Sequence, residues 1–319
     1  MDIVFLGTSS GTPTKQRNVS GVALSVENGS GWYLVDCGEA TQHQLLHTPM
    51  SLKGLKAVFI THIHGDHCYG LPGLLGSAAL SGRTAPLQIV APHGIAAWVR
   101  ATQEMTEMHL PFELQFVAAE SLSSWKDDDV IVQAIRLSHR VPSYAYAFTE
   151  AKQEASLDTE RLIAEGVPQG PLWGRLKAGL GVTHEGRALN GSDYLYFPHK
   201  VRRIIVSGDN DCPELLREKC AEAQVLVHEA TYTREIAEKV GEGVQHCPAG
   251  KIAAFAESVK LPNLVLTHFS PRYQPDTGRS PSIADIEREA AANYHGHLFL
   301  AEDLARYRLS KTGEFGLVA

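Results

Sequence analysis

The sequence predicts an α/β fold, and three observations carry that reading. Short β-type apolar runs alternate with helix-type runs along most of the chain. The composition, 44% hydrophobic and 20% charged, supplies a large core and excludes a disordered chain. A burst of His and Asp follows directly on one of the most apolar runs. With 319 residues the chain has room for one large α/β domain or two smaller ones, but no repeat and no long linker divides it. The expectation is one domain over residues 1–319, with an inserted segment at 151–195. The 28 Gly and 16 Pro show no triplet period, which excludes a collagen-like chain. Acidic residues number 36 against 29 basic, a net charge of −7, so a globally basic nucleic-acid coat is excluded and a local basic patch is not. Five Cys, with no Cys-x-x-Cys spacing, predict reduced thiols and a cytoplasmic protein. No basic signal-peptide start and no run of ~18 apolar residues is present, so no membrane partner is expected.

In chain order, residues 3–6, 21–26 and 32–36 read as strands between Gly, Ser, Thr and Asn clusters. Residues 57–60 form a continuous apolar run, the pattern of a strand buried on both faces. Residues 71–80 read as a helix, and 87–90, 95–100, 112–117 and 130–137 continue the alternation. Residues 154–165 have helical spacing, and 166–191 are rich in Gly, Pro and cations and weakly apolar, as a protrusion would be. Strands then follow at 203–206, 225–227, 264–266 and 298–301, with helices at 213–221, 231–240, 251–259 and 282–292.

The sharpest motif is Thr61-His62-Ile63-His64-Gly65-Asp66-His67. His62 and His64 are two apart and face the same side of an extended chain. Gly65 is expected to turn the chain so that Asp66 and His67 meet the same cavity. Imidazole with carboxylate suits Zn²⁺, Mn²⁺ or Fe²⁺. One loop cannot complete two coordination spheres, so ligands are sought at later strand ends. His139 follows 130–137, Asp209 follows 203–206 with Gly208 as a turn, and His268 follows 264–266.

With these residues in view, the chain resembles the metallo-β-lactamase fold superfamily and, within it, the ribonuclease Z family. Phe5-Leu6-Gly7-Thr8, the loop Pro13-Thr14-Lys15-Gln16-Arg17-Asn18, Asp36-Cys37-Gly38-Glu39, a helix holding Thr41, Gln42, Gln44 and Leu45, and His228-Glu229-Ala230-Thr231 are all similar to that family. Gly170-Pro171-Leu172 and Leu176-Lys177-Ala178-Gly179 resemble the tip of its tRNA-gripping arm. The resemblance implies a four-layer αβ/βα sandwich with a protruding arm, two zinc ions per subunit (Mn or Fe being possible), and a homodimer. It assigns His62, His64 and His139 to one ion, Asp66, His67 and His268 to the other, and Asp209 to both.

The activity implied is a zinc-dependent endoribonuclease removing 3′ trailers from precursor tRNA and leaving a 3′-hydroxyl. Two cations can clamp both oxygens of an in-line displacement, and hydroxide formed between them attacks phosphorus. Asp66 would orient it and accept its proton. With the trailer's 5′ oxygen taken as the leaving group, His246 is the candidate acid, ordered by Glu229 and His228. The family's His-Ser-Thr-like motif reads His246-Cys247-Pro248 here, and Asn210 stands where Thr is usual.

A tRNA could be held through Gly170, Pro171, Arg175, Lys177 and Arg187 on the arm, His199, Lys200, Arg202 and Arg203 after it, and Lys15, Arg17 and Asn18 on the early loop. Trp173 on the arm could stack or pack. The main alternative is a metallo-hydrolase of this fold on another phosphodiester or a sulfate ester, against which the arm argues. A non-catalytic metal- or RNA-binding scaffold is disfavoured by the complete ligand set. Gly7-Thr8-Ser9-Ser10-Gly11 lacks the Gly-Lys-Ser/Thr of a P-loop.

Overall fold

The computed structural model describes residues 1–26, 31–275 and 278–318, apart from the Glu242 side chain. Two sheets face each other. The first has eight strands in the order Phe315–Leu317, Arg306–Leu309, Asp2–Gly7, Gly21–Ser25, Trp32–Val35, Leu55–Phe59, Leu87–Ala91 and Leu114–Ala118. The second has seven: His297–Leu300, Asn263–Thr267, Val225–Glu229, Arg203–Ser207, Ser143–Glu150, Val130–Leu137 and Trp125–Lys126.

Alternation along each strand builds three apolar layers. Phe5, Tyr33, Phe59, Tyr146, Phe148, Val206 and Val227 meet between the sheets. The opposite faces of the first sheet, with Val4, Leu34, Val58 and Ile89, pack on the helices Leu71–Leu80 and Ile95–Met105. Those of the second, with Ala145, Ile205, Leu226 and Leu264, pack on Ala249–Ser258 and Ile283–Ala291. The order is therefore helices, sheet, sheet, helices. Phe59 sits at the centre, its ring 5.2 Å from both Tyr146 and Phe148.

Four strands of the two sheets went unread in the sequence: Ser143–Glu150, Arg306–Leu309, Phe315–Leu317 and the two-residue Trp125–Lys126. The first is central and pairs along its full length with Val130–Leu137. Two expected helices are shorter than their spacing suggested: Arg234–Val240 starts only after Thr233, and 213–221 is a 3₁₀ turn followed by Arg217–Cys220.

The inserted segment differs from the expected weakly apolar protrusion. It has a core of its own, with Leu162, Val167, Leu176, Val182, Leu189 and Tyr194 buried. A helix at Thr159–Ala164, a helix at Pro171–Lys177 and a hairpin of Val182–His184 with Arg187–Leu189 supply four of these residues, with Val167 on the loop between the helices and Tyr194 on the 3₁₀ turn Gly191–Tyr194. Asp158 caps the first helix by accepting from the Arg161 N–H at 3.0 Å, so the helix is confined to the end of the stretch with helical spacing.

Candidate metal centre

The candidate ligands converge where both sheets present the carboxyl ends of their strands, the usual position of α/β sites. His62 to His67 follow Leu55–Phe59 of the first sheet. His139, Asp209 and His268 follow Val130–Leu137, Arg203–Ser207 and Asn263–Thr267 of the second. Two glycines act otherwise than expected. Neither Gly65 nor Gly208 has a positive φ. A Cβ on Gly208 would meet Thr61 Cβ at 2.5 Å, and one on Gly65 would meet the Tyr69 ring at 2.2 Å. Close packing of the ligand loops requires them.

The donors form two sets. In one, His62 Nε2 lies 3.1 Å and His139 Nε2 3.2 Å from His64 Nδ1, while Asp209 Oδ2 lies 3.5 Å from His62 and 3.7 Å from His139. In the other, His67 and His268 Nε2 are 3.1 Å apart, Asp66 Oδ2 is 3.5 and 3.3 Å from them, and Asp209 Oδ1 is 3.5 and 3.4 Å away. Ligands at about 2.0–2.2 Å around a tetrahedral cation are about 3.3–3.6 Å apart. The spacing of both sets fits a divalent cation. It fits hydrogen bonding alone poorly, because one imidazole nitrogen cannot bond three donors and acceptors at once. Asp209 gives one oxygen to each set.

A second layer fixes the rings. His67 Nδ1 is 2.6 Å from Asp36, His62 Nδ1 3.0 Å from Thr61 Oγ1, His139 Nδ1 3.0 Å from the Gln245 carbonyl, and His268 Nδ1 3.0 Å from Thr231 Oγ1. Such partners set the tautomer and the ring plane of metal-ligating His. Asp36, Gln245 and His268 all hold φ between 51° and 61°, a region costly for non-Gly residues. They are three of the eight described non-Gly residues with positive φ. None of the four partners was assigned this role from sequence, although Asp36 and Thr231 lie within motifs the sequence displayed.

Electrostatics separate the histidines. Burial, reinforced by neighbouring imidazoles, pushes His62 well below the ordinary imidazole range. Burial also opposes charge on His67, but Asp36, Asp66 and Asp209 overcome it and raise His67 to about 10. Asp66 resists burial through His67, His268 and the Gly11 N–H at 2.6 Å, which keep it well below the usual carboxylate range. His246 lies beyond Asp209, its Nδ1 3.6 Å from Asp209 Oδ2 and 2.9 Å from Glu229 Oε2. Burial disfavours its charge, yet Glu229 and Asp209 raise it to about 9. Among the described residues its Nε2 has no hydrogen-bond partner.

His228 does not touch His246 directly. Its Nδ1 faces the Glu229 carbonyl at 2.8 Å and its Nε2 faces Asn210 Nδ2 at 3.1 Å. Asn210 N–H in turn donates to Glu229 Oε1 at 2.7 Å.

Residues 1–161 match the family model described as anti-Pycsar protein Apyc1, which takes in six of the eight strands of the first sheet and the ligands up to His139. A ribonuclease Z of Pseudomonas putida (strain W619) is 55% identical over 100% of this chain and 99% of its own. A ribonuclease Z of Bacillus subtilis (strain 168) is 40% identical over 91% and 93%. The chain belongs to the ribonuclease Z family. As a ribonuclease Z it is a hydrolytic endoribonuclease. The crystal structure of human tRNase Z, short form, superposes with a TM-score of 0.66 at 26% identity, covering 97% of this chain and 100% of that one. The metallo-β-lactamase fold protein YhfI of Bacillus subtilis shares the fold, with a TM-score of 0.65 at 15% identity over 99% of each chain.

The expected RNA-contacting cations of this ribonuclease Z fall into two groups. Lys15, Arg175 and Lys177 are exposed, as are Gly170 and Pro171. His199 and Lys200 are exposed as well, and the others are engaged within the protein. Arg17 donates to Thr8 Oγ1 and the Ala301 carbonyl at 2.7 and 2.8 Å, and lies over Phe269. Asn18 donates to the Glu39 carbonyl and to Asp303. Arg187 pairs with Glu165, Arg203 with Glu222, and buried Arg202 with Glu150 at 2.6 Å. Trp173 packs, its Nε1 donating to the Val167 carbonyl at 3.2 Å.

Proposed function

We propose that this chain removes 3′ trailers from tRNA precursors using two divalent cations, zinc first among them and Mn²⁺ or Fe²⁺ as substitutes. The single observation that carries the reading is the pair of donor sets, His62, His64 and His139 in one and Asp66, His67 and His268 in the other, with Asp209 offering one oxygen to each and His246 and its unbonded Nε2 alongside. Bound there, such ions supply the Lewis acidity that phosphodiester hydrolysis at neutral pH requires.

The chain's own residues do the rest. Asp66, fixed by the Gly11 N–H, takes a proton from the attacking water. His246 delivers a proton from Nε2, and Glu229 Oε2 holds the ring in position from the other side. Thr231 Oγ1 steadies Glu229 at 2.5 Å. His228 acts at one remove, by orienting Asn210 against Glu229. A product with a 3′-hydroxyl requires that the P–O3′ bond breaks. The leaving oxygen is therefore O3′ of the mature tRNA, not the 5′ oxygen of the trailer, and His246 is the group that protonates it.

The arm, residues 151–195, grips the tRNA body through Arg175 and Lys177 beside Gly170 and Pro171, and Lys15 contacts phosphate nearer the cut. Arg17 and Asn18 hold Lys15's loop in shape. A homodimer is supported by the exposed apolar residues Leu46, Tyr69, Leu80 and Met105 on the helical layer beside His62–His67. Reduced thiols support a cytoplasmic setting, since all five Cys are unpaired. No described helix is long and apolar enough to cross a membrane.

The test is incubation of the metal-loaded protein with labelled precursor tRNA, with and without chelator. One cut is expected, leaving a 3′-hydroxyl on the tRNA and abolished by chelation. Absence of cleavage, or cleavage indifferent to chelation, overturns the reading.

A further inference from the structure

A cavity of about 490 Å³ opens beside His246, within the ~300–1,000 Å³ of small-molecule sites. Its apolar wall includes Tyr232 and Val244. The Tyr232 ring stands edge-on to His246, centroids 5.9 Å apart. Arg234 and Lys251 line it and are exposed, and Lys251 Nζ is anchored to the Asp211 carbonyl at 2.6 Å. Asp211 also lines it, and its Oδ1 is a buried oxygen with no hydrogen-bond partner. Only one other described side-chain atom shares that condition, Ser143 Oγ.

We propose that this cavity receives the base of the nucleotide whose O3′ leaves, the last nucleotide of the mature tRNA, and that the Asp211 carboxylate, which lines the cavity, accepts a hydrogen bond from its edge. The inference rests on the functional reading above and extends it to a specificity determinant. The donor atom fixes the geometry. If His246 Nε2 protonates O3′, the ribose carrying O3′ lies against His246, and the space adjoining that ring is this cavity. The chemistry suits a single-stranded base. Such bases are read by stacking on aromatic rings and by bonds to their edges, and a carboxylate oxygen accepts from an exocyclic amine. A free phosphate does not suit the floor, because Asp211 would repel it. The exposed cations Arg234 and Lys251 suit the flanking phosphates instead.

Adenine, cytosine and guanine present an exocyclic amine, whereas uracil offers only an N3–H flanked by two carbonyl oxygens that repel a carboxylate. Precursors identical except at the nucleotide 5′ of the cut are to be compared by kcat/KM with the metal-loaded enzyme. The expected result is a five- to tenfold or greater deficit for uridine, narrowed at least threefold in Asp211→Asn. A parallel measurement avoids catalysis. Fluorescence anisotropy of mature tRNAs ending in each nucleotide should give the same order of affinity, and Val244→Trp, which fills the cavity, should flatten it. Melting curves identify any variant that has simply lost its fold. Cleavage that is equally efficient on all four precursors, with Asp211→Asn and Val244→Trp behaving as the parent, overturns this inference and leaves the endonuclease reading standing. Failure of the parent to cut any precursor overturns the functional reading itself.

Discussion

The metal centre and the arm are built on opposite plans. At the centre, five of the seven ligands are held from behind: four imidazoles have their second nitrogen engaged, and Asp66 receives a backbone N–H. On the arm, a small core holds the backbone while the functional cations stay in solvent. Arg161 and Arg187 are drawn onto Glu165, which leaves Arg175 and Lys177 as the exposed cations of the 171–177 helix. Chemistry needs donors fixed to fractions of an ångström, whereas recognition of a polyanion tolerates mobile charges. Substitutions at the centre should therefore act on rate and metal content, and substitutions on the arm on binding.

The largest effect is expected at Asp209. Asp209→Ala removes a donor from both sets, so elemental analysis should find metal content well below two ions per chain and precursor cleavage should fall below detection. Retention of both ions would break the contrast. Next comes His246→Ala, for which cleavage should drop about 10²–10⁴-fold, the range for loss of a general acid, with metal content kept. Asp36→Asn should cost about 10–100-fold in metal affinity or activity, because it frees His67 from behind. On the arm, Arg175→Ala with Lys177→Ala should reduce the slope of log binding constant against log salt by about 1.4–1.8, roughly 0.7–0.9 per lost phosphate contact. An unchanged slope would remove the arm from the binding surface.

The smallest effect is on stability, far from either region. Burial opposes the charge of Asp2, but hydrogen bonds from Arg308 and Arg306 outweigh it and lower its pKa. A carboxylate depressed in the folded state adds stability above its unfolded pKa, about 3.9, and loses it as pH falls through the folded value. Asp2→Asn should lower Tm by about 2 °C at pH 7, and the gap to the parent should close as pH falls through the lowered folded-state pKa of Asp2.

The ligands were legible in the sequence because metal donors announce themselves by type and position. Seven ionisable residues stood at the ends of apolar runs. Their supports were not legible, since Asp36 and His67 are 31 residues apart and Gln245 acts through a carbonyl that every residue possesses. The Asp211 oxygen was equally silent, because lack of a partner is a property of the fold. Ser143–Glu150 could have been read. Its Tyr-Ala-Tyr-Ala-Phe alternation sends Tyr144, Tyr146 and Phe148 between the sheets and Ala145 and Ala147 toward the helices. Its small Ala positions hid an apolar run that length and β-branching would otherwise have flagged. The arm was misjudged for a related reason, since its six core residues are scattered among Gly, Pro and charge.

The origin of the ligands has one more consequence. His62, His64, Asp66 and His67 extend from one sheet, and His139, Asp209 and His268 from the other. Any cation held by both groups rivets the two halves of the molecule at their rim. Withdrawing it should loosen that seam before the interior yields, and amide exchange should quicken first in the loops after Phe59 and Thr267 rather than in the strands behind them.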